Sequence, residues 1–293
     1  MYDTVRDRLI HLHHCRGAGW KTIRSLLDAD PTLAAPFSMP PHSLRPLVPL
    51  TSQQFAAFFR DLHSIDLHRL IKTYQARRIH VITVFDDHYP PLLKHIYAPP
   101  WVLYAKGNAG LLQQTKLISI VGTRRPTKDG LEALDKLVPP LSAAGWTIVS
   151  GLAAGIDIHA HRLAVKYGGT TIAVIAGGLD HVYPKAHWPF ARYLMNEQLV
   201  IAEHPPATKP QAWHFPARNR IISGLSLGTL VVQAKRKSGS LITAAYALEQ
   251  GREVFAVPGP IGAAEAAGPN TLIQHGAKLV QEAEDIIVEF PYV

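Results

Sequence analysis

Short apolar runs of strand length alternate with helical segments along the chain from Lys116 onward. The strand-like runs are Leu117–Val121, Thr147–Ser150, Thr170–Ala176, Leu199–Ala202, Leu227–Val232 and Glu253–Val257. Helical spacing of apolar residues marks the segments between them, which are Gly130–Ala143, Ile156–Tyr167, Pro189–Asn196, a segment near Arg220–Leu225, and Leu241–Gln250. Nearly continuous apolar strands separated by helices form parallel sheets that are covered on both faces. The pattern therefore predicts an α/β fold with a Rossmann-like, doubly wound and mostly parallel sheet.

The first 75 residues differ from this pattern. They contain four stretches of helical periodicity, Leu9–His14, Lys21–Leu27, Gln53–Phe59 and Ile65–Tyr74, and a proline-rich stretch over residues 31–49 separates the helices. We expect a small all-helical domain over residues 1–75, a connecting region with one strand, Ile79–Val84, over 76–115, and the Rossmann-like domain over 116–293. The turn Arg16-Gly17-Ala18-Gly19 fits a helix-hairpin-helix that offers N–H groups to a phosphate. It also fits a tight turn with glycines at positive φ, which we favour.

The charge balance indicates the class of partner. Lys and Arg number 30 against 22 Asp and Glu, which gives a formal net charge of +8, and a basic surplus favours a polyanion. The single cysteine, Cys15, excludes an intrachain disulfide and suits a reducing compartment. The charged N-terminal start lacks the apolar core of a signal peptide, and no apolar run approaches the roughly 20 residues that span a bilayer. We expect a cytoplasmic protein without a membrane partner.

The loop after the first predicted strand of the sheet, residues 122–127, has the composition of a phosphate site. Ligands of open parallel sheets bind beyond the carboxyl ends of the strands. Gly122 lets a ligand approach the backbone, Thr123 offers a hydroxyl, and Arg124 offers a planar cationic fork. The alternative is a tight strand-to-helix turn with solvated arginines.

Two later segments add aromatic and basic groups. Phe215-Pro216-Ala217-Arg218-Asn219-Arg220 combines an aromatic platform with cations, which suits base stacking and phosphate binding in a loop before a helix. The basic turn, residues 235–240, places Lys235, Arg236 and Lys237 before Ser238-Gly239-Ser240 and a helix start, and we expect an anion site. The alternative for the basic turn is a solvated charged loop with Ser240 as the helix N-cap.

The segment Ser150–His161 has a more structural composition. Its small residues suit close packing of a helix start, Asp157 suits a helix cap or an orienting role, and His161 suits a buried structural position. The turns at 176–184 and 257–260 also have structural compositions. The sequence lacks Gly-x-x-x-x-Gly-Lys-[Ser/Thr], a Gly-x-Gly-x-x-Gly after the first strand, and Gly-x-Ser-x-Gly. It also lacks His-Glu-x-x-His and Cys-x-x-Cys, so we expect no nucleotide cofactor and no metal.

Several motifs in order resemble the DprA/Smf (DNA processing protein A) family. They are Val121–Thr127, Ser150–His161, Phe215–Ser226, Ser238–Ala244, Val257–Ile261 and Gly268–Ala277, and the resemblance runs from about Asp87 to about Asp285. It implies an extended Rossmann fold and a homodimer that binds single-stranded DNA without sequence preference and without nucleotide hydrolysis. It further implies protection of that DNA, displacement of single-strand-binding protein, and loading of the recombinase RecA in natural transformation. The N-terminal helices are similar to the family's SAM-like or helix-hairpin-helix domain.

The resemblance also assigns residues. The DNA-binding positions it implies are Gly122, Thr123, Arg124, Phe215, Arg218, Asn219, Arg220, Lys235, Lys237, Ser238 and Gly239, and the dimer face it implies includes Leu272 and Ile273. The sequence departs from the family pattern at Gln233, where glutamate is frequent, and at Ala202, where serine is usual. The chain ends at Val293, so we expect the C-terminal winged-helix domain of many members to be absent.

Two other functions compete with DNA binding. The predicted fold is similar to that of the lysine-decarboxylase-like phosphoribohydrolases, and a nucleotide-processing enzyme would use Asp157 or Glu203 as acid or base. Such enzymes carry a Pro-Gly-Gly-x-Gly-Thr loop, and the most similar string here is Ala176-Gly177-Gly178-Leu179. A protein-interaction scaffold would leave the basic turn unexplained. We therefore expect a binding protein and not an enzyme.

Overall fold

The computed structural model describes residues 4–292, which separate into two compact units. One unit comprises Met1–Tyr89 and Pro100–Tyr104, and the other comprises Pro90–Pro99 and Ala105–Val293. The predicted connecting region over residues 76–115 is divided between them. The first three residues of the charged start and the final residue, Val293, lie outside the described residues.

The first unit is mainly helical, as the apolar spacing predicts. Its helices are α1 (Val5–His14), α2 (Trp20–Ala29), α3 (Ala35–Ser38), α4 (Pro41–Leu44), α5 (Ser52–Ser64) and α6 (Leu67–Ala76). A reciprocal capping box starts α5, in which Thr51 and Gln54 each bond the other's backbone N–H. The proline-rich stretch still forms α3 and α4, because proline is tolerated in a first helical turn, where N–H groups have no helical partner.

The turn between α1 and α2 is tight. Gly17 adopts φ +84°, and the Gly19 N–H donates to the Gly17 carbonyl over 2.8 Å. Arg16 beside it forms a bidentate pair with Asp61 of α5. Gly17 therefore supplies the positive φ that the tight-turn interpretation requires, whereas Gly19 has an ordinary extended backbone with φ −73°.

The remaining elements are strands, which form one sheet, and further helices. In chain order they are β1 (His80–Thr83), α7 (Pro91–Lys94), β2 (Val102–Gly107), β3 (Leu117–Val121), α8 (Lys128–Ala143), β4 (Thr147–Ser150), α9 (Ile156–Lys166), β5 (Thr171–Ile175), α10 (Trp188–Glu197), β6 (Leu199–Ala202), α11 (His214–Leu225), β7 (Gly228–Val231), α12 (Gly239–Glu249), β8 (Glu253–Ala256), α13 (Ala267–Gln274), β9 (Lys278–Leu279) and α14 (Glu284–Ile287). The first unit contains β1, and β2 passes from the first unit into the second. The six strands predicted from Lys116 onward are all present, and the predicted α/β fold class is confirmed.

The strand order within the second unit sets the position of a ligand crevice. From β6 the order is β6-β5-β4-β3-β7-β8-β9, and every neighbouring pair is parallel. Successive strands therefore run outward from β3 on one side and from β7 on the other. Ligands of doubly wound sheets bind outside the carboxyl ends of the strands at such a reversal. The strand order therefore predicts a ligand site at the loops that follow β3 and β7.

Helices cover both faces of this sheet. Apolar side chains of α8 and α9, such as Leu134, Leu141 and Leu163, share one core with Ile118 and Phe255 of the strands. On α11, the carbonyl of Ile222 accepts a 2.7 Å hydrogen bond from Ser119 of β3. No helix among residues 4–292 is both long and apolar enough to cross a membrane.

The sequence pattern did not predict the helix α13 or the strand β9. The helix α13 contains Gly268, Pro269 and Asn270, which are typical turn residues. The Gly268 N–H donates to the Ala234 carbonyl, and the Asn270 side chain bonds both backbone groups of Gly259. These long-range contacts stabilise a helix that local composition does not favour. The edge strand β9 has only two residues, too few for a recognisable pattern.

Candidate nucleic-acid interface

A cleft of about 430 Å³ lies at the carboxyl edge of the sheet, and its walls include the β3–α8 and β7–α12 loops. Ten of the eleven predicted DNA-binding residues line it: Gly122, Thr123, Arg124, Phe215, Arg218, Asn219, Lys235, Lys237, Ser238 and Gly239. Segments up to 117 residues apart in the chain therefore meet in one cleft. Arg220 is the exception, because it does not line the cleft.

Close packing against α9 fixes the loop between β3 and α8. A Cβ atom on Gly122 would lie 2.5 Å from Ile156, and one on Gly155 would lie 2.3 Å from the Thr123 carbonyl oxygen. Gly155 also adopts φ +82°, which favours glycine. This packing presents Arg124 to solvent with its guanidinium carbon 6.0 Å from the centre of the Phe215 ring. The two side chains together offer a cation and an aromatic surface.

Gln233, just after β7, holds the same loop from the other side. Its carbonyl oxygen accepts from the Thr123 N–H over 2.7 Å. Its side-chain oxygen accepts from the Thr127 N–H over 3.0 Å, while its amide nitrogen donates to the Thr127 hydroxyl over 2.7 Å. From the sequence, Gln233 was noted only as a departure from the family pattern, in which glutamate is frequent. In the structure, the amide connects the two loops at the strand-order reversal, because it both accepts and donates.

The basic turn leads into an 11-residue helix, α12, whose N-terminus lines the cleft. The N-cap of α12 is Ser238, whereas the alternative interpretation of the basic turn named Ser240, and the Ser238 hydroxyl accepts from the Ser240 N–H over 3.3 Å. Lys237 is exposed, and Lys235 is 67% exposed although its ammonium lies 3.5 Å from a Glu265 oxygen. A helix N-terminus with adjacent cations attracts anions.

The Phe-Pro-Ala-Arg-Asn-Arg segment is helical in the structure, contrary to the expectation of a loop. It forms the first two turns of α11, which begins at His214. Pro216 is tolerated there because it lies in the first turn. Half-buried Phe215 lines the cleft, and the Asn219 amide donates to the Gly239 carbonyl over 3.2 Å, which connects α11 to the start of α12.

Arg218 lines the floor of the cleft and is buried. Its guanidinium donates to the carbonyls of Gly151, over 2.6 Å, and of Val174, and so links the carboxyl ends of β4 and β5. Burial lowers the pKa of Arg218 to about 10, and the charge of Asp157 opposes that shift. Much of this guanidinium's bonding capacity is therefore used within the protein.

Arg220, on the next part of α11, pairs with Glu203 over 2.5 Å. Their side chains are only 12% and 16% exposed. The structure therefore places this arginine in a partly buried ion pair and outside the cleft, although the motif groups it with the DNA-binding residues.

The other polar groups below the cleft are also engaged. The Asp157 carboxylate accepts from the Gly151 N–H over 3.1 Å, and burial raises its pKa. His161 is fully buried with Nδ1 2.6 Å from the Thr171 hydroxyl, and its pKa falls to about 3, first because of burial and then because of the Arg218 charge. These contacts fit the structural positions expected for both residues. Among residues 4–292, no group of three or more His, Cys, Asp or Glu is arranged to hold a metal ion.

Two further cavities continue the cleft at its ends. One of about 130 Å³ shares Arg124, Ala153, Phe215 and Arg218 with it and adds Tyr183. Another of about 450 Å³ shares its lining at Lys237, Ser238 and Ile242 and continues along α12 to Tyr246. We call these three adjoining cavities together the trench. Sequence reasoning assigned Tyr183 to a structural bend, but its location beyond the carboxyl end of β5 is the signal that points to the site.

Comparison with known proteins agrees with this arrangement. The family model for DNA recombination-mediator protein A matches residues 80–291. The chain is 52% identical over 225 residues to DNA processing protein DprA of Bacillus subtilis, covering 77% of this chain and 76% of that protein. It is 44% identical over 237 residues to DprA of Streptococcus pneumoniae, covering 81% and 83% respectively.

Solved structures support the same assignment. The X-ray structure of Streptococcus pneumoniae DprA matches with a TM-score of 0.85 and 38% identity, over 98% of this chain and 99% of that one. A structure of Helicobacter pylori DprA, described for its single-stranded DNA binding mode, matches with a TM-score of 0.66 and 28% identity, over 73% and 96%. The motifs, the fold and these similarities agree, and the chain belongs to the DNA recombination-mediator protein A family, that is, DprA/Smf.

Proposed function

We propose that this protein binds single-stranded DNA in the trench and acts as a recombination mediator in the cytoplasm. The observation that carries the proposal is that one cleft is lined by Arg124, Lys235, Lys237 and the α12 N-terminus together with Phe215, whose ring centre lies 6.0 Å from the Arg124 guanidinium carbon. Cations neutralise phosphates, and an aromatic ring stacks on any base, so such a site binds single strands without sequence preference. The Helicobacter pylori relative is described as binding single-stranded DNA, which supports the same ligand class here.

The shape of the site favours a polymer over a free nucleotide. Three cavities adjoin through shared lining residues, from Tyr183 through Phe215 to Tyr246, whereas a mononucleotide needs only one enclosed pocket. The groups that an enzyme of the phosphoribohydrolase type would use are engaged elsewhere, since Asp157 bonds Gly151 and Glu203 pairs with Arg220. Our proposal is therefore binding without catalysis, and release of adenine from AMP above background would contradict it.

The proposal includes a homodimer. Leu272 and Ile273 lie half-buried on α13, and Leu279 of the edge strand β9 is 41% exposed, so apolar side chains remain accessible at this end of the sheet. We expect Leu272→Arg to convert a dimer into a monomer in light scattering coupled to gel filtration. The control is Tyr167→Arg, at a side chain that is 51% exposed. An unchanged mass for Leu272→Arg would place the interface elsewhere.

The finer role follows from the family. We propose that the dimer protects the strand, displaces single-strand-binding protein and loads RecA during natural transformation. Addition of the protein to DNA coated with single-strand-binding protein is expected to shorten the lag before RecA hydrolyses ATP. No change in the lag at a saturating concentration would refute the loading role while leaving DNA binding intact.

Fluorescence anisotropy with labelled oligo-dT and a matching duplex tests DNA binding directly. Three phosphate-neutralising cations predict that log affinity falls with log salt at a slope of about −2, so that affinity drops about 20-fold between about 50 and 200 mM salt. Arg124→Ala and Lys237→Ala are each expected to weaken binding and to reduce the slope by about 0.7.

The matched controls are Arg192→Ala on α10 and Lys136→Ala on α8, which remove exposed cations outside the cleft. Both are expected to bind like the unaltered protein. Equal affinity for single strand and duplex, or equal losses in the cleft variants and the controls, would refute the proposed site.

A further inference from the structure

Both α9 and α10 begin just after segments that line the trench. Residues 153–154 line its cavity of about 130 Å³ and lead into α9, which starts at Ile156. Tyr183 and Pro184 line the same cavity, and after a three-residue turn the chain enters α10 at Trp188. A strand that leaves the trench beside Tyr183 therefore reaches the first turns of these two helices.

The surface between α9 and α10 carries two aromatic rings and two cations. The ring centres of Phe190 and Tyr193 lie 6.1 Å apart, and their planes meet at 9°. The guanidinium carbon of Arg162 lies 5.6 Å from the centre of the Phe190 ring. Lys166 follows Arg162 by four residues, and residues at that spacing lie on the same side of a helix. We call Arg162, Lys166, Phe190 and Tyr193 the helix patch.

The helix patch is accessible and positively charged. Both of its cations are exposed, Tyr193 is 42% exposed, and Phe190 is half-buried. Within residues 4–292, neither Arg162 nor Lys166 forms an ion pair. In the two helices, as the structure describes them, Glu197 is the one exposed acidic residue, and it lies one turn beyond Tyr193 at the end of α10. The patch therefore suits an anionic ligand and ends at Glu197.

The aromatic rings distinguish a single strand from other polyanions. Cations alone attract any polyanion. In a duplex the bases stack on one another, whereas the bases of a single strand are free to stack on aromatic side chains, which contributes about 1–3 kcal/mol per base. The stacked pair of Phe190 and Tyr193 offers such a surface next to a cation. Continuity with the trench then favours the same strand as the occupant of both.

We propose that a single strand leaving the trench beside Tyr183 continues over the helix patch, where its bases stack on Phe190 and Tyr193 and its phosphates pair with Arg162 and Lys166. This inference rests on the proposed function, since the strand must first lie in the trench. The trench and the patch bind different parts of one strand. Affinity therefore increases when the strand is longer than the segment that the trench holds.

Strand length separates the helix patch from the trench. Anisotropy is measured with labelled dT oligomers of about 6 nucleotides, which one groove of about 4–16 nucleotides holds, and of about 20 nucleotides, which exceed it. The proteins are the unaltered chain, Tyr193→Ala and Arg162→Ala. Avidity of a dimer would raise affinity for the long strand in all three proteins alike, so the comparison is made between variants at each length.

The expected effects are confined to the long strand. On the short strand, both variants should bind within about twofold of the unaltered protein. On the long strand, Tyr193→Ala removes a stacking ring and should weaken binding about 5-fold or more. Arg162→Ala removes one phosphate contact, so the slope of log affinity against log salt should become less steep by about 0.7.

Three further variants control for folding and for overall charge. Tyr193→Phe keeps the ring and should retain long-strand affinity within about twofold. Arg192→Ala removes an exposed cation of the same helix, about 160° around the helix axis from Phe190, and should change binding at neither length. Glu197→Lys replaces the carboxylate at the end of the patch with a cation. It should tighten long-strand binding alone and make its salt slope steeper by about 0.7.

The outcomes separate this inference from the proposed function. If Arg124→Ala loses binding at both lengths while Tyr193→Ala and Arg162→Ala bind the long strand like Arg192→Ala, the patch proposal is overturned and the cleft stands. Equal losses of Tyr193→Ala on the short and the long strand also overturn it, because the effect then does not depend on strand length. Arg162-dependent sedimentation with phosphatidylglycerol vesicles, with unchanged long-strand affinity, would assign the patch to a lipid surface and overturn it too. If the unaltered protein does not prefer single strands, both proposals fail together.

Discussion

Replacement of Arg218 by methionine separates the structural role of this residue from a role in binding. Arg218 is 7% exposed and lies beside buried Asp157, and its guanidinium bonds the carbonyls of Gly151 and Val174. Methionine fills similar space but provides neither charge nor donors. The substitution leaves the buried Asp157 carboxylate without its compensating charge and two carbonyls without their donor.

The expected loss of stability follows from these contacts. Two buried carbonyls that each lose a donor, at about 1–3 kcal/mol apiece, together with the loss of the charge near Asp157, give a loss of about 3–5 kcal/mol. For a unit of this size, each kcal/mol lowers the melting temperature by about 2–4 °C. We therefore expect Arg218→Met to melt about 6–20 °C below the unaltered protein, as followed by circular dichroism. Arg124→Met, at an exposed position, is the matched control and should change stability by no more than about 0.5 kcal/mol.

A double-mutant cycle with Asp157→Asn tests the reason for the loss. When Asp157 is neutral, removal of Arg218 no longer leaves a buried charge uncompensated. The combined variant should therefore be more stable than the sum of the single losses predicts, by about 1–3 kcal/mol. A melting temperature of Arg218→Met within 2 °C of the unaltered protein, together with a loss of DNA affinity equal to that of Arg124→Met, would refute this reasoning. The guanidinium would then serve the ligand and not the strand ends.

Three other substitutions test how the cleft is supported. Gly155→Ala places a Cβ atom 2.3 Å from the Thr123 carbonyl oxygen at φ +82°, so we expect a loss of about 1–3 kcal/mol in a thermal melt and at least about tenfold weaker dT binding by anisotropy. Arg220→Gln should cost about 1–3 kcal/mol of stability, because Glu203 loses its partner, and leave dT affinity within about twofold; a large affinity loss without destabilisation would contradict this. His161 has a pKa of about 3 when folded against 6.5 when unfolded, so its stabilisation is present above pH 6.5 and is lost as pH falls toward 3. In denaturant titrations, His161→Gln should reduce the slope of unfolding free energy against pH by up to about 1.4 kcal/mol per pH unit. The exposed control His42→Gln should leave that slope unchanged. Equal slopes for His161→Gln and the unaltered protein would contradict the burial argument.

Elements with a local sequence pattern were predicted accurately. Elements that depend on contacts between distant parts of the chain were not. Buried strands such as Leu117–Val121 and Leu199–Ala202 have bounds identical to those predicted, because a continuous apolar run bounded by polar or glycine residues is a local pattern. The start of α11 was predicted near Arg220 but lies at His214, and Pro216 lies in its first turn, where proline is tolerated. The helix α13 depends on contacts with Ala234 and Gly259, and no local pattern contains those contacts.

The candidate site shows the same difference between local patterns and long-range contacts. Residue type and position after a strand indicated the β3–α8 loop and the basic turn, because parallel strands bring their carboxyl ends to one edge. The family resemblance assigned the ten individual residues that line the cleft. The partners of each side chain were not predictable. Arg124, Arg218 and Arg220 are the same residue type within two motifs, yet one faces solvent, one links β4 to β5, and one pairs with Glu203. Which arginine is available to a phosphate is decided by burial, and burial is a property of the folded chain.

This division of the three arginines is itself an argument about mechanism. A cleft that binds a flexible polyanion gains little if its own walls rearrange, since ordering them would offset the gain in affinity. Here Arg218 and Arg220 fix α11 against the strand ends, Gln233 fixes the β3–α8 loop, and Asn219 fixes the start of α12. The cleft cations that remain exposed are Arg124, Lys235 and Lys237. They lie on segments that these contacts hold in place. In the proposed complex the strand, and not the protein, bears most of the ordering cost on binding.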